Sequence, residues 1–452
     1  MIRFIDRDRE LALLEEEWKK KGAQFVVVYG RRRIGKTALI TEFIKDKNGI
    51  FYIAEDTNKK VQINDFKEKL SSFFNDELLK TLEIKEWKDL FAYLEKILPR
   101  HRKMHITIDE FSYLIKNDPG LVSALQKFWD GFLLKTEVFL LVSGSIFGLM
   151  SERMLSASSP LYGRRTRDML LRELSFKNAC EFLKMPFEDM MQVYMAVGGI
   201  PEYLLKAAHY SSFNTFFEKE FTSKDGYFYR EPFYLLSQEF KEIKTYFTIL
   251  NAIAYGNTKP SEIANFVGIK TREIYPYLEN LIRLNFIEKI TPIAGVKKSG
   301  IYLIKDAFFD CWFNFVYKHR EDIERDRFKR VQEDVQSYFG KRFEGIARNE
   351  FAPQLFKTSR IGKWWHKEND IDIVALDEHK KQITFVECKW KTLSYTQSLK
   401  ILENLKEKAD FVEWCKGDRK ERYGIIARKI EHKHDLREKG FFVYDSEEWK
   451  FL

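Results

Sequence analysis

The sequence predicts a multidomain α/β protein, and three observations support this fold class. The chain has 452 residues, more than one hydrophobic core usually serves, so three or four domains of about 100–150 residues each are expected. Apolar runs of strand length lie at 24–28, 104–108 and 138–142, as in a buried parallel sheet. Two further strand-like runs, 371–376 and 383–390, are joined by a polar turn and indicate a smaller α/β domain near the C-terminus.

A glycine-rich loop follows the first apolar run. The residues from Gly30 to Thr37 fit the pattern G-x-x-x-x-G-K-[ST] and lead directly into helical spacing, which is the context of a phosphate-binding loop. Backbone amides of such a loop surround phosphate oxygens at the N-terminus of a helix. We predict an ATP site in which Lys36 neutralises the γ-phosphate and Thr37 ligates Mg²⁺. The predicted nucleotide-binding residues are Gly30, Arg31, Arg32, Arg33, Ile34, Gly35, Lys36, Thr37, Ala38 and Ser143.

Two carboxylates end the strand-like run 104–108. We expect Asp109 to hold the water shell of Mg²⁺, and Glu110 to act as general base toward the attacking water. The next run ends in Ser143, Gly144 and Ser145, where a hydroxyl could touch the γ-phosphate or the attacking water; a strand-ending turn with serine caps is the alternative. These features together predict a P-loop ATPase domain with a parallel sheet of the ASCE type, over residues 1–171.

Two arginines, Arg164 and Arg165, come just after a glycine turn. One of them could be an arginine finger, which stabilises charge on the transferred phosphoryl group. The other interpretation is an exposed basic loop, and the sequence leaves both open.

The middle of the chain predicts two helical modules. Residues 172–238 are rich in aromatic residues and helical patterns, and we expect them to form a helical lid. Residues 239–325 have helix-turn-helix spacing, with Ser261 and Thr271 as expected N-caps and Gly268 as the turn. Two short strands follow, so this region predicts a winged helix.

The winged helix has two possible roles. It could bind DNA, with Lys270, Arg272 and the wing residues Lys297 and Lys298 near phosphates. It could instead pack between domains and regulate them. The second helix also carries glutamates and a proline, which favours the regulatory role.

The last segment, 326–452, has the length of a separate small domain. Glu387 and Lys389 lie two residues apart on a strand and therefore project from the same face. An amphipathic helix with Glu344 and a strand with Asp372 precede them. This helix, hairpin and E-x-K pattern resembles the PD-(D/E)XK nuclease fold.

That resemblance implies metal-assisted hydrolysis of phosphodiesters. Asp372 and Glu387 would hold Mg²⁺ or Mn²⁺. Glu344 would orient the metal or its water, and Lys389 would position the nucleophile or neutralise developing charge. The alternatives are an ordinary strand ending and a fold that lacks cleavage activity.

Five stretches resemble archaeal ATPases of the STAND/AAA+ group that continue into a C-terminal nuclease-like domain: YGRRRIGKT, ITIDEF, SPLYGRRT, GGIPEYL and REPFYLL. The resemblance covers essentially the whole chain. The segment around Arg7 also resembles one that lies against the adenine in such ATPases. The family implies ATP binding and hydrolysis, but it implies little about biological role.

Composition and cysteine spacing indicate which partners and which cellular compartment to expect. Lys and Arg total 77 against 68 Asp and Glu, a net charge of +9, which is compatible with DNA binding and equally with a solvated surface. The four cysteines have no C-x-x-C spacing, which argues against a disulfide framework or a zinc site. With no apolar run near the ~20 residues of a membrane span, we expect a cytoplasmic protein without membrane association.

The sequence therefore predicts an ATP-hydrolysing protein coupled to a metal-dependent DNA nuclease domain. The alternative is an ATP-driven signalling or regulatory switch that binds DNA or a protein partner without cleaving. The expected partners are ATP, DNA, and a protein partner or further copies of the chain.

Overall fold

The computed structural model of the chain describes residues 5–295, 300–326 and 329–449. It forms two compact units. Unit 1 extends to Leu174 and includes Ile200–Lys206, whereas unit 2 contains Ser175–Gly199 and the chain from Ala207 onward. Among these described residues, no helix is both long and apolar enough to pass through a lipid bilayer.

Unit 1 begins as an alternation of helices and strands. Its elements as far as Leu170 are α1 (Asp8–Lys19), β1 (Gln24–Tyr29), α2 (Lys36–Ile44), β2 (Gly49–Ile53), α3 (Lys59–Phe74), α4 (Glu77–Thr81), α5 (Trp87–Ile97), β3 (Met104–Asp109), α6 (Phe111–Asn117), α7 (Leu121–Gly131), β4 (Val138–Gly144), α8 (Phe147–Met150) and β5 (Arg167–Leu170).

The chain then enters unit 2, returns once to unit 1 and continues in unit 2. It enters with α9 (Phe176–Cys180) and α10 (Phe187–Val197), and it returns with α11 (Pro201–Ala207). The remaining elements are α12 (Phe213–Glu220), α13 (Glu231–Glu239), α14 (Ile243–Ala254), α15 (Pro260–Val267), α16 (Thr271–Arg283), β6 (Ile287–Ile290), β7 (Ile301–Ile304), α17 (Ala307–Cys311), α18 (Arg320–Glu324), α19 (Lys329–Ile346), α20 (Ala352–Leu355), β8 (Arg360–His366), β9 (Asn369–Asp377), β10 (Gln382–Leu393), α21 (Tyr395–Ala409), β11 (Lys420–Ile430), α22 (Lys433–Glu438), β12 (Phe442–Asp445) and α23 (Ser446–Trp449).

The sheet of unit 1 is parallel, with strand order β2-β3-β4-β1-β5. Because helices cover both faces of such a sheet, its central strands are apolar at nearly every position, and Phe25–Val28 and Val138–Val142 are buried accordingly. The order places β4 between β1 and β3. The carboxyl ends of these three strands therefore meet at one edge.

His105 lies inside this sheet, on β3, with 2% of its surface exposed. Burial lowers its pKa from 6.5 to about 4, so the folded unit keeps the imidazole neutral while the unfolded chain takes up a proton. We expect unit 1 to lose stability as the pH falls from about 6.5 to about 4, by up to about 3 kcal/mol. Urea denaturation at pH 7 and pH 4.5 measures this loss, which should shrink in His105→Gln and persist in the exposed control His101→Gln. An unchanged loss in His105→Gln would show that other groups cause it.

Unit 2 contains a helical region followed by a mixed sheet. The sheet has the order β12-β11-β10-β9-β8. Strands β8, β9 and β10 are antiparallel neighbours, whereas β10, β11 and β12 are parallel. The crossover between β10 and β11 contains α21, as a parallel connection requires.

Ahead of this sheet, α14, α15 and α16 are followed by the antiparallel hairpin β6–β7, in which Ile287 pairs with Ile304. Gly268 ends α15 with a φ of 80°, in agreement with the turn expected there. The wing residues Lys297 and Lys298 lie outside the described residues.

The N-caps expected for α15 and α16 are wrong. The capping residues are Lys259 and Lys270, so Thr271 is the first helical residue and Ser261 lies inside α15. The Glu262 carboxylate accepts the Lys259 N–H at 3.1 Å, and Glu273 accepts the Lys270 N–H at 3.4 Å. Each glutamate lies three residues after its capping lysine and accepts that lysine's backbone N–H, whereas a hydroxyl cap accepts an N–H inside the helix.

Candidate functional site

The phosphate loop joins β1 to α2 at the shared strand edge of unit 1. Its two glycines have positive φ angles, 152° at Gly30 and 89° at Gly35, which glycine adopts at low cost. A Cβ atom at Gly30 would also lie 2.6 Å from the carbonyl oxygen of Leu171. The loop path therefore requires glycine at that position.

Lys36 is buried, with 4% of its surface exposed. Its Nζ donates hydrogen bonds to the carbonyl oxygens of Gly30, at 3.0 Å, and Arg31, at 2.9 Å. Gly35 precedes the helix and has no side chain with which to cap it. The N–H groups in the first turn of α2 can therefore donate hydrogen bonds to an anion. Ala38, exposed in the first turn, leaves this end of the helix open.

Asp109 is fully buried where β3 meets the loop. One carboxylate oxygen, Oδ2, accepts the Thr37 hydroxyl at 2.5 Å. The other, Oδ1, accepts the Ser143 hydroxyl and the Glu110 N–H, the latter at 3.0 Å. A hydroxyl and a carboxylate side by side are ligands that Mg²⁺ prefers, so these residues fit the predicted cation.

Glu110 has a backbone conformation that is rare for glutamate, with a φ of 54°. Its Oε2 accepts a hydrogen bond from Ser145 and lies 3.5 Å from the Ser112 hydroxyl. The carboxylate of the expected general base is therefore held by two serines. Sequence reasoning placed Ser145 near the γ-phosphate or the attacking water but did not identify its contact with Glu110, which exists because the fold brings β4 beside β3.

The loop arginines contact other parts of unit 1. Arg32 donates to the hydroxyl of Tyr113. Arg33 lies 3.6 Å from a Glu202 carboxylate oxygen and 5.8 Å from the centre of the Tyr203 ring, both on α11. Sequence patterns did not predict these contacts, because the loop and α11 are more than 150 residues apart in the chain.

Arg7 supports the loop from the buried side. It is 6% exposed, and its Nη2 donates to the carbonyl oxygens of Ile34, at 3.2 Å, and Arg172, at 2.6 Å. Ile34 itself is buried. Sequence reasoning placed the Arg7 segment near the nucleotide but did not identify this contact.

The two expected finger arginines bind within unit 1. Arg164 forms a two-pronged ion pair with Asp130, with N–O distances of 2.9–3.0 Å, and donates to the Pro160 carbonyl. Arg165 donates to the Met154 carbonyl at 2.9 Å. A finger role would require either side chain to exchange these partners, and that role stays a prediction.

Acidic residues of the C-terminal sheet domain lie close together on neighbouring strands. Val386 pairs with Ile373, so Glu387 and Asp372 are the next residues along the two neighbouring strands. The buried Asp372 Oδ2 accepts the backbone N–H of Cys388 at 2.8 Å. Lys389 Nζ lies 2.9 Å from Glu387 Oε1.

A lysine that sequence reasoning missed lies among these acids. Lys363 Nζ, on β8, is 3.1 Å from Glu344 Oε2, 3.0 Å from Asp370 Oδ2 and 3.7 Å from Asp372 Oδ1. Burial disfavours its charge, but the three carboxylates raise the pKa of Lys363 above its usual value. The lysine thus stays charged within the cluster.

The electrostatics of the cluster are those of a site that can bind a divalent cation. Burial, followed by the charge of Glu344, raises the pKa of Asp372 to about 7. Burial and then Asp372 raise the pKa of Glu387. Its Oε2 is buried, accepts no hydrogen bond from the described residues, and lies 3.6 Å from Lys408 Nζ. A buried carboxylate oxygen without a donor is a natural metal ligand, so these residues fit Mg²⁺ or Mn²⁺.

A cavity of about 360 Å³ adjoins the cluster within unit 2. Its walls come from the end of β6, the π-helical turn Ala347–Phe351 and β8, and they include Arg348, Asn349 and Lys363. Within the described part of the chain, Arg348 forms neither a hydrogen bond nor an ion pair. The cavity therefore presents one cation from Arg348 and the stem of Lys363.

The fold and the nucleotide site together define the class of this protein, which is a P-loop ATPase and hence an ATP-hydrolysing enzyme. Residues 4–207 match the family described as an ATPase domain predominantly from Archaea. Residues 312–401 match a family described as "Archaea bacterial proteins of unknown function". The predicted archaeal ATPase domain and its parallel sheet are confirmed.

The chain belongs to the archaeal family of the uncharacterized protein MJECL04 of Methanocaldococcus jannaschii, to which it is 35% identical over 446 residues, or 96% of this chain and 97% of that protein. The uncharacterized ATP-binding protein MJ0423 of the same organism is 43% identical over 47 residues, 10% of this chain and 80% of that protein. The structure of the Walker-type ATPase PABY2304 of Pyrococcus abyssi aligns with a TM-score of 0.51 and 21% identity, covering 69% of this chain and 96% of that one. This structural likeness concerns the fold alone.

Proposed function

We propose that the protein couples ATP hydrolysis to metal-dependent cleavage of DNA by its C-terminal sheet domain. The observation that supports this most directly is the buried Glu387 Oε2, which accepts no hydrogen bond within the described part of the chain and lies beside Asp372 and Lys389. The proposal has two halves, a nucleotide site in unit 1 and a nuclease site in unit 2. Each half assigns roles to particular residues.

At the nucleotide site, the loop amides and Lys36 bind the β- and γ-phosphates of ATP, because both present positive charge at the N-terminus of α2. Thr37 and Asp109 would hold Mg²⁺, which supplies charge neutralisation between the phosphates. Ser143 fixes the Asp109 carboxylate. Glu110 accepts a proton from the attacking water after its carboxylate is released by Ser145.

Replacing Glu110 by glutamine is expected to lower the turnover number for ATP about a hundredfold or more. The amide has the shape of the carboxylate but cannot accept the proton, so binding of a fluorescent ATP analogue should stay within a few-fold of the parent. Phosphate release and equilibrium binding measure the two quantities. The control is Glu77→Gln, at an exposed side chain. Turnover close to that of the parent would remove Glu110 from the reaction.

At the nuclease site, several features of the domain support the PD-(D/E)XK interpretation. Helix α19 carries Glu344, three antiparallel strands follow, and α21 then crosses to the parallel strand β11. Asp372 and Glu387 would hold a divalent cation, which supplies Lewis acidity at the phosphorus-bound oxygen. Lys389 then places its ammonium beside the scissile phosphate, where negative charge develops.

The cavity beside the cluster offers a binding position for the DNA backbone. Arg348 faces it without a partner among the described residues, and a guanidinium pairs well with a phosphate. A strand bound there would pass close to Glu344 and Asp372.

We also propose that α14–α16 and the β6–β7 hairpin form a winged helix with a regulatory rather than a base-reading role. The Glu273 carboxylate accepts the Lys270 N–H at the start of α16. The helix carries only two cationic side chains, Arg272 and Arg283, which is few for a helix that reads bases in a DNA groove. The four-part division into 1–171, 172–238, 239–325 and 326–452, the lid, the cytoplasmic location and any assembly with further copies or a protein partner stay predictions.

One observation favours the second candidate function, an ATP-driven switch that binds DNA or a protein and cuts nothing. The ammonium of Lys363 already neutralises Glu344 and Asp370. If that ion pair is permanent, the cluster stabilises the fold and binds no metal.

A cleavage assay decides between the two candidates. The full chain is incubated with single-stranded, double-stranded and branched DNA, with Mg²⁺ or Mn²⁺, and with or without ATP. Cleavage that depends on metal and changes with ATP supports the coupled nuclease. Intact DNA in every combination, with ATP hydrolysis preserved, would favour the switch.

A further inference from the structure

The position of Lys363 has a consequence for metal binding. Its ammonium contacts three carboxylates, two of which, Glu344 and Asp372, belong to the proposed metal site. The third, Asp370, is half exposed. The ammonium therefore lies among the oxygens that would surround a divalent cation.

We infer that Lys363 is a resident cation that a divalent metal ion must displace before the C-terminal site can work. This inference rests on the proposed metal site and adds its regulation. Without metal, the lysine balances part of the charge of the carboxylates and holds them together. When a metal ion binds, the ammonium leaves, and the cluster exchanges one positive charge for two.

The structure provides room for this exchange. Lys363 borders the cavity of about 360 Å³, and the β8–β9 pairing shifts register between Gly362 and Trp364, immediately around the lysine. A lysine stem is flexible and ends in a compact charge. The side chain can therefore rotate from the carboxylates into the cavity without a change in the strands.

Competition of this kind lowers apparent metal affinity. If the ammonium occupies the site in all but a tenth of molecules, the apparent dissociation constant rises about tenfold. Lys363→Met keeps the apolar stem and removes the charge, so it should bind Mn²⁺ at least about tenfold more tightly than the parent. Lys363→Arg keeps a cation and should not gain affinity.

The matched control is Lys408→Met. Lys408 Nζ lies 3.6 Å from Glu387 Oε2, so this variant removes one positive charge near the same site without emptying the position between Glu344 and Asp372. A general electrostatic effect would raise the Mn²⁺ affinity equally in both variants. If the metal ion displaces the lysine, only Lys363→Met should show the full, about tenfold increase in Mn²⁺ affinity.

The measurement is Mn²⁺ binding to the nucleotide-free full chain, followed through the electron paramagnetic resonance signal of free Mn²⁺. The C-terminal site is the portion of binding that Asp372→Asn removes. Thermal unfolding gives a second readout: Lys363→Met should be less stable than the parent without metal and should gain more stability from Mn²⁺. If Lys363→Met does not fold, Lys363→Gln takes its place.

The outcomes separate this inference from the proposed function. Equal Mn²⁺ affinity in the parent and Lys363→Met, or equal gains in Lys363→Met and Lys408→Met, would overturn the displacement while leaving the metal site in place. If Asp372→Asn binds as much Mn²⁺ as the parent, the proposed metal site is wrong, and the displacement inference fails with it.

Discussion

Lys36→Ala is expected to abolish ATP hydrolysis, with a loss of about a hundredfold or more in turnover. Lys36 is the buried cation of the phosphate loop, and two backbone carbonyls hold its ammonium at the start of α2. When ATP binds, this charge is available to the γ-phosphate, and alanine cannot replace it. ATP affinity should also fall, because the lysine contacts the phosphates before as well as during the reaction.

The control for this variant lies on the same stretch of chain. Lys45, just past the end of α2, is 60% exposed in its side chain and pairs only with Glu42 among the described residues. Lys45→Ala should retain the turnover of the parent. Unchanged phosphate release by Lys36→Ala would disprove the assignment of the phosphate loop.

The second large effect is expected at the C-terminal cluster. Asp372→Asn and Lys389→Ala should each reduce DNA cleavage by roughly a hundredfold or more, while ATP hydrolysis stays within a few-fold of the parent. Asparagine is chosen because its side-chain oxygen can still accept the Cys388 N–H, which Asp372 accepts at 2.8 Å. The fold is thereby preserved while the charge that would bind the metal is lost.

Lys391→Ala is the matched control, since Lys391 lies two residues further along β10 and is exposed. It should cleave like the parent. Cleavage that survives both Asp372→Asn and Lys389→Ala would assign the activity to another site or to a contaminant. Cleavage that falls in Lys391→Ala as well would point to general weakening of DNA binding.

Local sequence patterns predicted the parts of the sites that depend on neighbouring residues. The strand, glycine loop and helix around Lys36 are contiguous, and the apolar run before Asp109 marks a buried strand tip. The same is true of Glu387 and Lys389, whose spacing alone places them on one face. In each case the positions of the side chains follow from the alternation of side chains along a strand or from the glycine turn. They do not depend on contacts with distant parts of the chain.

The residues that pattern analysis missed belong to contacts between distant segments. Arg7 and Arg172 are 165 residues apart in the chain, and Lys363 and Glu344 are 19 apart. Neither pair has a periodic signal. Ser145 is another such case, because its contact with Glu110 exists only through the insertion of β4 beside β3.

The helix caps show a different cause of error. A hydroxyl residue such as Thr271 is a strong N-cap signal, but a lysine can take the capping position when a glutamate three residues after it accepts the lysine N–H. In this chain Glu273 does so for Lys270, and the helix begins one residue earlier than expected. Different capping hydrogen bonds can have similar free energies, so the first residue of a helix cannot be predicted from the capping signal alone.

The return of α11 to unit 1 determines where the chain can be cut without losing part of the nucleotide site. Pro201 lies 3.8 Å from where a Cβ of Gly35 would be, and Glu202 pairs with Arg33, so a fragment that stops at Leu174 loses a neighbour of its own phosphate loop. The archaeal ATPase match ends at residue 207, the last residue of α11. A fragment or chimera that is to keep the phosphate loop with its neighbours therefore needs its downstream junction after α11.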